Sequence, residues 1–151
     1  MFSIKKTILV DASPERCAEA LSDPIRLQRI DRKVDRMQAI AGSNPEQIEL
    51  HGRLAAMPFR LRLTVDRKAD GGFVVRGRAG LLREFEARFD LEATDGGTRI
   101  THTESYQFAF ASVLERWIRP KFTTIVDEEL DRLRVFIRDG WNVELPWNPP
   151  R

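Results

Sequence analysis

Two periods divide this chain. From Val34 to Phe108 apolar residues tend to recur at every second position; from Leu114 to Ile137 they recur every third or fourth. Period two makes strands with one face on a core, and a period near 3.6 makes a helix with one apolar stripe. Half-apolar strands joined by short turns form an antiparallel sheet with one wet face and one face that needs a cover. Only the segment after Phe108 is large and apolar enough to supply it. The expected fold is α+β: a curved antiparallel sheet of about seven strands wrapped around a long C-terminal helix.

The punctuation agrees. Phe2 to Val10 reads as a first strand. Asp11-Ala12-Ser13-Pro14-Glu15 then starts a short helix to about Leu21, with Ser13 as cap, Pro14 in the first helical position and Glu15 at the positive end of the dipole. Ser22-Asp23-Pro24 repeats the signal for a second short helix over residues 25–30. Further strands are expected at 34–41, 47–54, 59–66, 73–79, 83–93 and 99–108. Gly42-Ser43-Asn44-Pro45, Asp70-Gly71-Gly72 and Asp95-Gly96-Gly97 supply turns. Pro120 lies inside the helical pattern, where a missing donor predicts a kink or break. Gly140 is a stop signal. Residues 1–140 are read as one domain and 141–151 as an extended tail carrying Trp141 and Trp147.

The last strand, Arg99-Ile-Thr-His-Thr-Glu-Ser-Tyr-Gln-Phe108, holds an anomaly. Its polar face is uniform, but the apolar face carries His102, Glu104 and Tyr106 between Ile100 and Phe108. Same-face neighbours on a strand stand roughly 7 Å apart. Burying an unpaired charge in a dry core is heavily unfavourable. The row therefore implies a partly polar cavity that orients a ligand's oxygen groups, or a network satisfied internally, with Glu104 on His102 or Arg83 and Tyr106 on backbone. Both readings stand.

Arg83 shares parity with Phe85 and begins a strand on the concave side, as a guard of the cavity mouth or an arginine reaching to solvent. Phe59, Phe85 and Phe89, with Met57, would wall a cavity from the sheet; Tyr106, Trp117 and Phe122 would complete it, or serve as plain core. The helix segment before Pro120 is the expected lid.

Charge and motif exclude other classes. Lys plus Arg is 25 against 23 Asp plus Glu, so the net charge of +2 does not provide the concentrated basic surface of a nucleic-acid binder. No apolar run spans a bilayer, so no stable membrane insertion is expected. The N-terminal stretch lacks a signal peptide's apolar region and a cytoplasmic setting is expected. Cys17 stands alone, excluding an internal disulfide. His51 and His102 fall on opposite faces, which argues against a zinc cluster, and no metal is expected. A phosphate loop and a nucleophile elbow are both missing, so no cofactor is expected.

The run Val10-Asp-Ala-Ser-Pro-Glu-Arg-Cys-Ala-Glu-Ala-Leu-Ser-Asp-Pro24, the run Asp95-Gly-Gly-Thr-Arg-Ile-Thr-His-Thr-Glu-Ser-Tyr-Gln-Phe108 and the terminal helix resemble the START-like, or SRPBCC, superfamily, which includes polyketide cyclase/dehydrase-like proteins. The resemblance covers nearly the whole chain. It implies a helix-grip fold with a cavity between sheet and helix. Its members include lipid carriers, cyclases, hydroxylase domains and chaperone regulators, so it specifies architecture better than chemistry. Three functions follow. The first is binding of a small hydrophobic or amphipathic molecule such as a lipid, quinone or polyketide. The second is a cyclase or dehydratase-like enzyme in which His102 is the base, Glu104 orients it, and Tyr106 or Arg83 polarises a carbonyl. The third is a protein-interaction module using the tryptophans of the tail, with no partner named by the sequence.

Overall fold

The computed structural model describes residues 1–54 and 56–142. Seven strands, β1 (Phe2–Val10), β2 (Val34–Ala39), β3 (Gln47–Leu54), β4 (Met57–Arg67), β5 (Phe73–Ala79), β6 (Leu82–Thr94) and β7 (Gly97–Phe108), form one sheet in the order β1-β7-β6-β5-β4-β3-β2. Every pairing is antiparallel. A short helix α1 (Pro14–Ala20) and a 3₁₀ turn (Pro24–Arg29) follow β1, and helix α2 (Ala111–Asp139) closes the fold. The expected helix-grip architecture is what the chain adopts.

Local chemistry explains the ends. Ser13 accepts the Arg16 N–H at 3.2 Å to cap α1, and Asp23 Oδ1 accepts the Ile25 N–H at 3.1 Å to open the 3₁₀ turn. Gly140 takes φ +86°, and its N–H reaches the Phe136 carbonyl. Arg16 donates to the carbonyls of Ile137 and Arg138 at 2.8 and 3.0 Å. A side chain of α1 thereby satisfies carbonyls that the end of α2 leaves open.

The core lies between the concave face and α2. Along β7, residues 98, 100, 102, 104, 106 and 108 are buried, and their neighbours are not. From α2, Ile118, Phe122, Val126, Leu130, Leu133, Phe136 and Ile137 face them. Each such side chain contributes about 1.5–3 kcal/mol by leaving water.

Two expectations need correction. The helix runs unbroken through Pro120. The proline removes one donor without breaking the helix, and Ile118 and Phe122 on either side of it bury into the same core. Arg83 does not enter the concave face. The β6–β7 register shifts between Leu82 and Glu84, and this bulge breaks the alternation that gave Arg83 the parity of Phe85; its side chain is exposed. Arg132 is buried and donates to the Ile30 carbonyl at 2.6 Å. Trp141 folds back onto the domain, its ring stacked on Phe136 at 4.3 Å and covered by the Arg26 guanidinium. Trp147 and the rest of 143–151 lie outside the described residues.

Candidate functional site

A cavity of about 380 Å³ opens between the concave face and the first half of α2. Leu50, Leu61, Phe85 and Phe108 wall it from the sheet, and Leu114 and Phe122 wall it from the helix. Met57 and Leu81, both exposed, stand at its mouth. Asp31, Lys33 and Tyr106 form its inner polar part, and the exposed Arg60, paired with Glu49, also lines it.

Behind those three side chains the polar residues form one continuous buried network. Lys33 Nζ lies 3.0 Å from Asp31 Oδ1 and 3.2 Å from Glu104 Oε1. The Tyr106 hydroxyl donates to Glu104 Oε2. His102 Nε2 lies 3.3 Å from Glu104 Oε1 and 3.6 Å from Glu129 Oε1, the latter reaching in from α2. His102 Nδ1 donates to the Arg88 carbonyl at 3.0 Å, which places a proton on that nitrogen.

Each member is positioned by its own surroundings. Asp31 Oδ1 also accepts the Lys33 N–H at 2.9 Å, an Asx turn that bends the chain just before β2. Gly52 completes the arrangement: a Cβ there would sit 2.2 Å from the Lys33 carbonyl, so only glycine lets β3 approach this closely. The Lys33 ammonium faces the Phe122 ring at 5.4 Å. The Tyr106 ring is held by Phe2, Phe85 and Phe122 at 5.0–5.2 Å. Phe89 stacks on the His102 imidazole at 4.0 Å and fixes its plane.

The electrostatics follow from burial competing with charge. Burial opposes the Lys33 ammonium, but Asp31, Glu104 and Glu129 outweigh it and keep the group charged far above ordinary pH. Burial also opposes the Glu104 carboxylate, yet the charge of Lys33 and the hydrogen bonds from His102 and Tyr106 bring its pKa down to about 2. For His102, burial is overcome by Glu129 and Glu104, and its pKa rises to about 9. Glu129 moves the other way: burial dominates, the negative charges of Asp31 and Glu104 add to it, and its pKa rises to about 8. Burial thus holds the proton on Glu129 well above the ordinary carboxyl range. The imidazolium then rests on the closer Glu104, and Glu129 adds its charge only at higher pH. Burial and the facing carboxylates push the Tyr106 hydroxyl well above its usual range. The network then carries two cations, Lys33 and His102, against two anions, Asp31 and Glu104, and is balanced.

The predicted residues separate into three groups. Tyr106, Phe85, Phe59 and Phe122 line the cavity. His102 and Glu104 do face the concave side, but they lie beneath the lining, and His102 is 1% exposed with both nitrogens engaged inside the protein. Phe89 is buried under His102, away from the cavity. Arg83 lies outside on its bulge, and Trp117 is 72% exposed on the outer face of α2. Sequence reasoning missed Lys33, Asp31 and Glu129. Lys33 and Asp31 sat in a loop without periodicity. Glu129 had a signal: it lies three residues after Val126 and four before Leu133, on the apolar stripe itself.

His102, Glu104 and Glu129 bring ligating atoms within 4.8 Å of one another, a spacing that could converge on a cation. Glu104 is already shared by the Lys33 ammonium and the imidazolium, so a metal would have to displace positive charge that the network supplies itself.

The family profile "Polyketide cyclase / dehydrase and lipid transport" matches residues 1–135. No curated protein matches the sequence. Among solved structures, a protein of Thermus thermophilus superposes with a TM-score of 0.76 at 15% identity, covering 91% of this chain and 97% of that one. A START superfamily protein from Mycobacterium smegmatis gives 0.70 at 15%, covering 89% and 98%. The ZhuI aromatase/cyclase from Streptomyces sp. R1128 gives 0.69 at 13%, covering 92% and 93%. At these identities the likeness is one of fold.

Proposed function

Given that the chain belongs to the polyketide cyclase/dehydrase and lipid transport family, we infer that it binds a small hydrophobic or amphipathic molecule, of lipid, quinone or polyketide type, in the cavity between sheet and helix. One observation carries this reading: an apolar cavity of about 380 Å³ with Lys33, Asp31 and Tyr106 gathered in it. Its size falls in the usual range for small-molecule sites, and a few convergent polar groups in an apolar wall are their usual composition. The Lys33 charge is already matched by Asp31 and Glu104. A ligand with a neutral oxygen, such as a carbonyl, hydroxyl or phenol, suits this balance better than a carboxylate, which would add a third anion. The oxygen would lie near the ammonium of Lys33 and the hydroxyl of Tyr106, with the apolar body toward Met57 and Leu81.

A cyclase or dehydratase-like activity is the second reading. What favours it is that an ammonium and a hydroxyl flank one cavity, where they could stabilise a developing enolate oxygen. His102 cannot act there as a direct base, because its ring nitrogens face Glu104, Glu129 and the Arg88 carbonyl. Any proton exchange with it would pass through Glu104.

The test is native mass spectrometry of the purified protein, with denaturing extraction of whatever is bound, on the natural chain and on Leu114→Trp. The indole thickens the helix-side wall and narrows the cavity, and Leu114 lies outside the buried network. A co-purifying apolar molecule present in the first and missing from the second supports the binding reading. A molecule retained by a folded Leu114→Trp would place binding elsewhere. Conversion of the extracted compound on incubation would move the conclusion to the enzyme.

A further inference from the structure

Most of the large apolar side chains exposed on this domain gather beside the cavity. Met57 and Leu81 stand at its mouth. Phe110, just before α2, is 74% exposed, and it follows Ala109, whose N–H donates to the Leu81 carbonyl at 2.8 Å. Val113 and Trp117, four apart and so on one face of α2, are 74% and 72% exposed. Leu114, next to Val113, lines the cavity. The exposed set thus begins at the cavity mouth, at Met57 and Leu81, and extends along the adjoining start of α2. Elsewhere among the described residues only Met1 and Leu9 are large, apolar and exposed.

The charges beside this rim are mostly of one sign. Residues 79–84 and 110–121 carry Arg83, Arg116, Arg119 and Lys121, all exposed. Against them stand Glu84 and a Glu115 held by the amino terminus at 3.0 Å. Apolar side chains ending in a tryptophan and edged with arginine and lysine match an anionic lipid surface, where the indole sits at headgroup depth and the cations meet phosphate. A second copy of the chain fits poorly, because a two-fold contact would bring the same basic residues face to face. No described helix is long and apolar enough to cross a membrane, so the contact would be peripheral.

We propose that the rim formed by Met57, Leu81, Phe110, Val113 and Trp117 docks the cavity mouth onto an anionic membrane surface, so that the ligand passes between bilayer and cavity without crossing water. This rests on the cavity being a ligand site.

The experiment is flotation of the full chain with vesicles of phosphatidylcholine alone and of equimolar phosphatidylcholine and phosphatidylglycerol. Trp117→Ser and the double variant Arg116→Glu/Arg119→Glu are run beside it. All three substituted residues are exposed and lie outside the cavity lining, so melting temperatures should not move. The natural chain should float with the anionic vesicles, weakly with the neutral ones, and less as salt rises. Each variant should lose about tenfold in vesicle affinity. Uptake of a neutral naphthylamine dye from solution should be equal in all of them, which separates docking from cavity binding. Dye uptake without flotation by the natural chain would overturn the docking and leave the cavity reading in place. Flotation indifferent to Trp117→Ser would also overturn it. So would sedimentation of the natural chain as a dimer that Trp117→Ser dissociates, which would assign the rim to a second copy. Absence of dye uptake with flotation intact would count against the cavity instead.

Discussion

The two halves of α2 face the same sheet and do opposite things. Beyond residue 125, Val126, Leu130, Leu133, Phe136 and Ile137 fill the concave surface completely, and even Glu129 and Arg132 are drawn inside. Before it, Leu114 and Phe122 stand across a cavity, while Val113 and Trp117 turn to solvent. One long helix does not close a curved sheet equally tightly along its whole length. The closed part supplies stability, the open part leaves the cavity, and the buried ionic network lies where they meet. Lys33 touches both: its ammonium enters the cavity lining and also neutralises Glu104 in the sealed region.

The comparison breaks most visibly at that junction. Lys33→Ala leaves Asp31 and Glu104 as neighbouring buried anions, and removal of one partner from a buried ion pair costs about 3–5 kcal/mol. Denaturant titration should show a loss of this size, and the variant should regain part of it at acid pH, where the orphaned carboxylates take up protons.

Next come the halves themselves. Leu133→Ala in the sealed half creates a void among fully buried neighbours and should cost about 2–5 kcal/mol. Leu114→Ala in the open half only enlarges an existing cavity and should cost less than about 1 kcal/mol. Equal losses at the two sites would mean that the cavity is closed in solution.

The sealed half should also make the protein sensitive to alkali. The pKa of Glu129 rises from 4.5 to about 8 on folding and that of His102 from 6.5 to about 9, so between those limits the folded chain binds more protons than the unfolded one. Stability then falls as pH rises, beginning near the unfolded values and completing past the folded ones. Glu104 works in the opposite sense: its folded pKa near 2 means that its contribution is present above about 4.5 and is lost in acid. The melting temperature should be highest around pH 5–6 and fall toward pH 9. Glu129→Gln, which cannot ionise, should flatten the alkaline limb and exceed the natural chain in stability at pH 9. An unchanged limb would mean that Glu129 does not hold a proton at neutral pH.

The sealed and open regions were not equally legible in the sequence. Period two in Arg99–Phe108 and the stripe from Leu114 to Ile137 identify the sheet face, its cover and the polar row, because burial imposes those periods directly. The cavity's polar lining was harder. Lys33 points inward through an Asx turn made by Asp31 and a close approach allowed by Gly52, two contacts between segments that no local pattern records. Arg83 was misplaced because a bulge shifts alternation by one residue and leaves no mark in composition. Glu129 could have been found, since an acid on the apolar stripe of a long helix implies a buried partner.

The smallest expected effect is also the most specific. Tyr106→Phe removes one oxygen that serves both regions, as donor to Glu104 on the sealed side and as lining on the cavity side. Glu104 keeps Lys33 and His102 as partners, so its carboxylate stays paired, and the stability loss should be about 1–2 kcal/mol. The ring stays in place between Phe2, Phe85 and Phe122, so the cavity keeps its shape. A ligand whose neutral oxygen meets this hydroxyl should bind several-fold more weakly by calorimetry, while an apolar dye that needs no oxygen contact should bind as before. Equal weakening of both would show that the hydroxyl acts by shaping the cavity. No change in either would mean that it serves only the buried network and that Lys33 alone receives the ligand's oxygen.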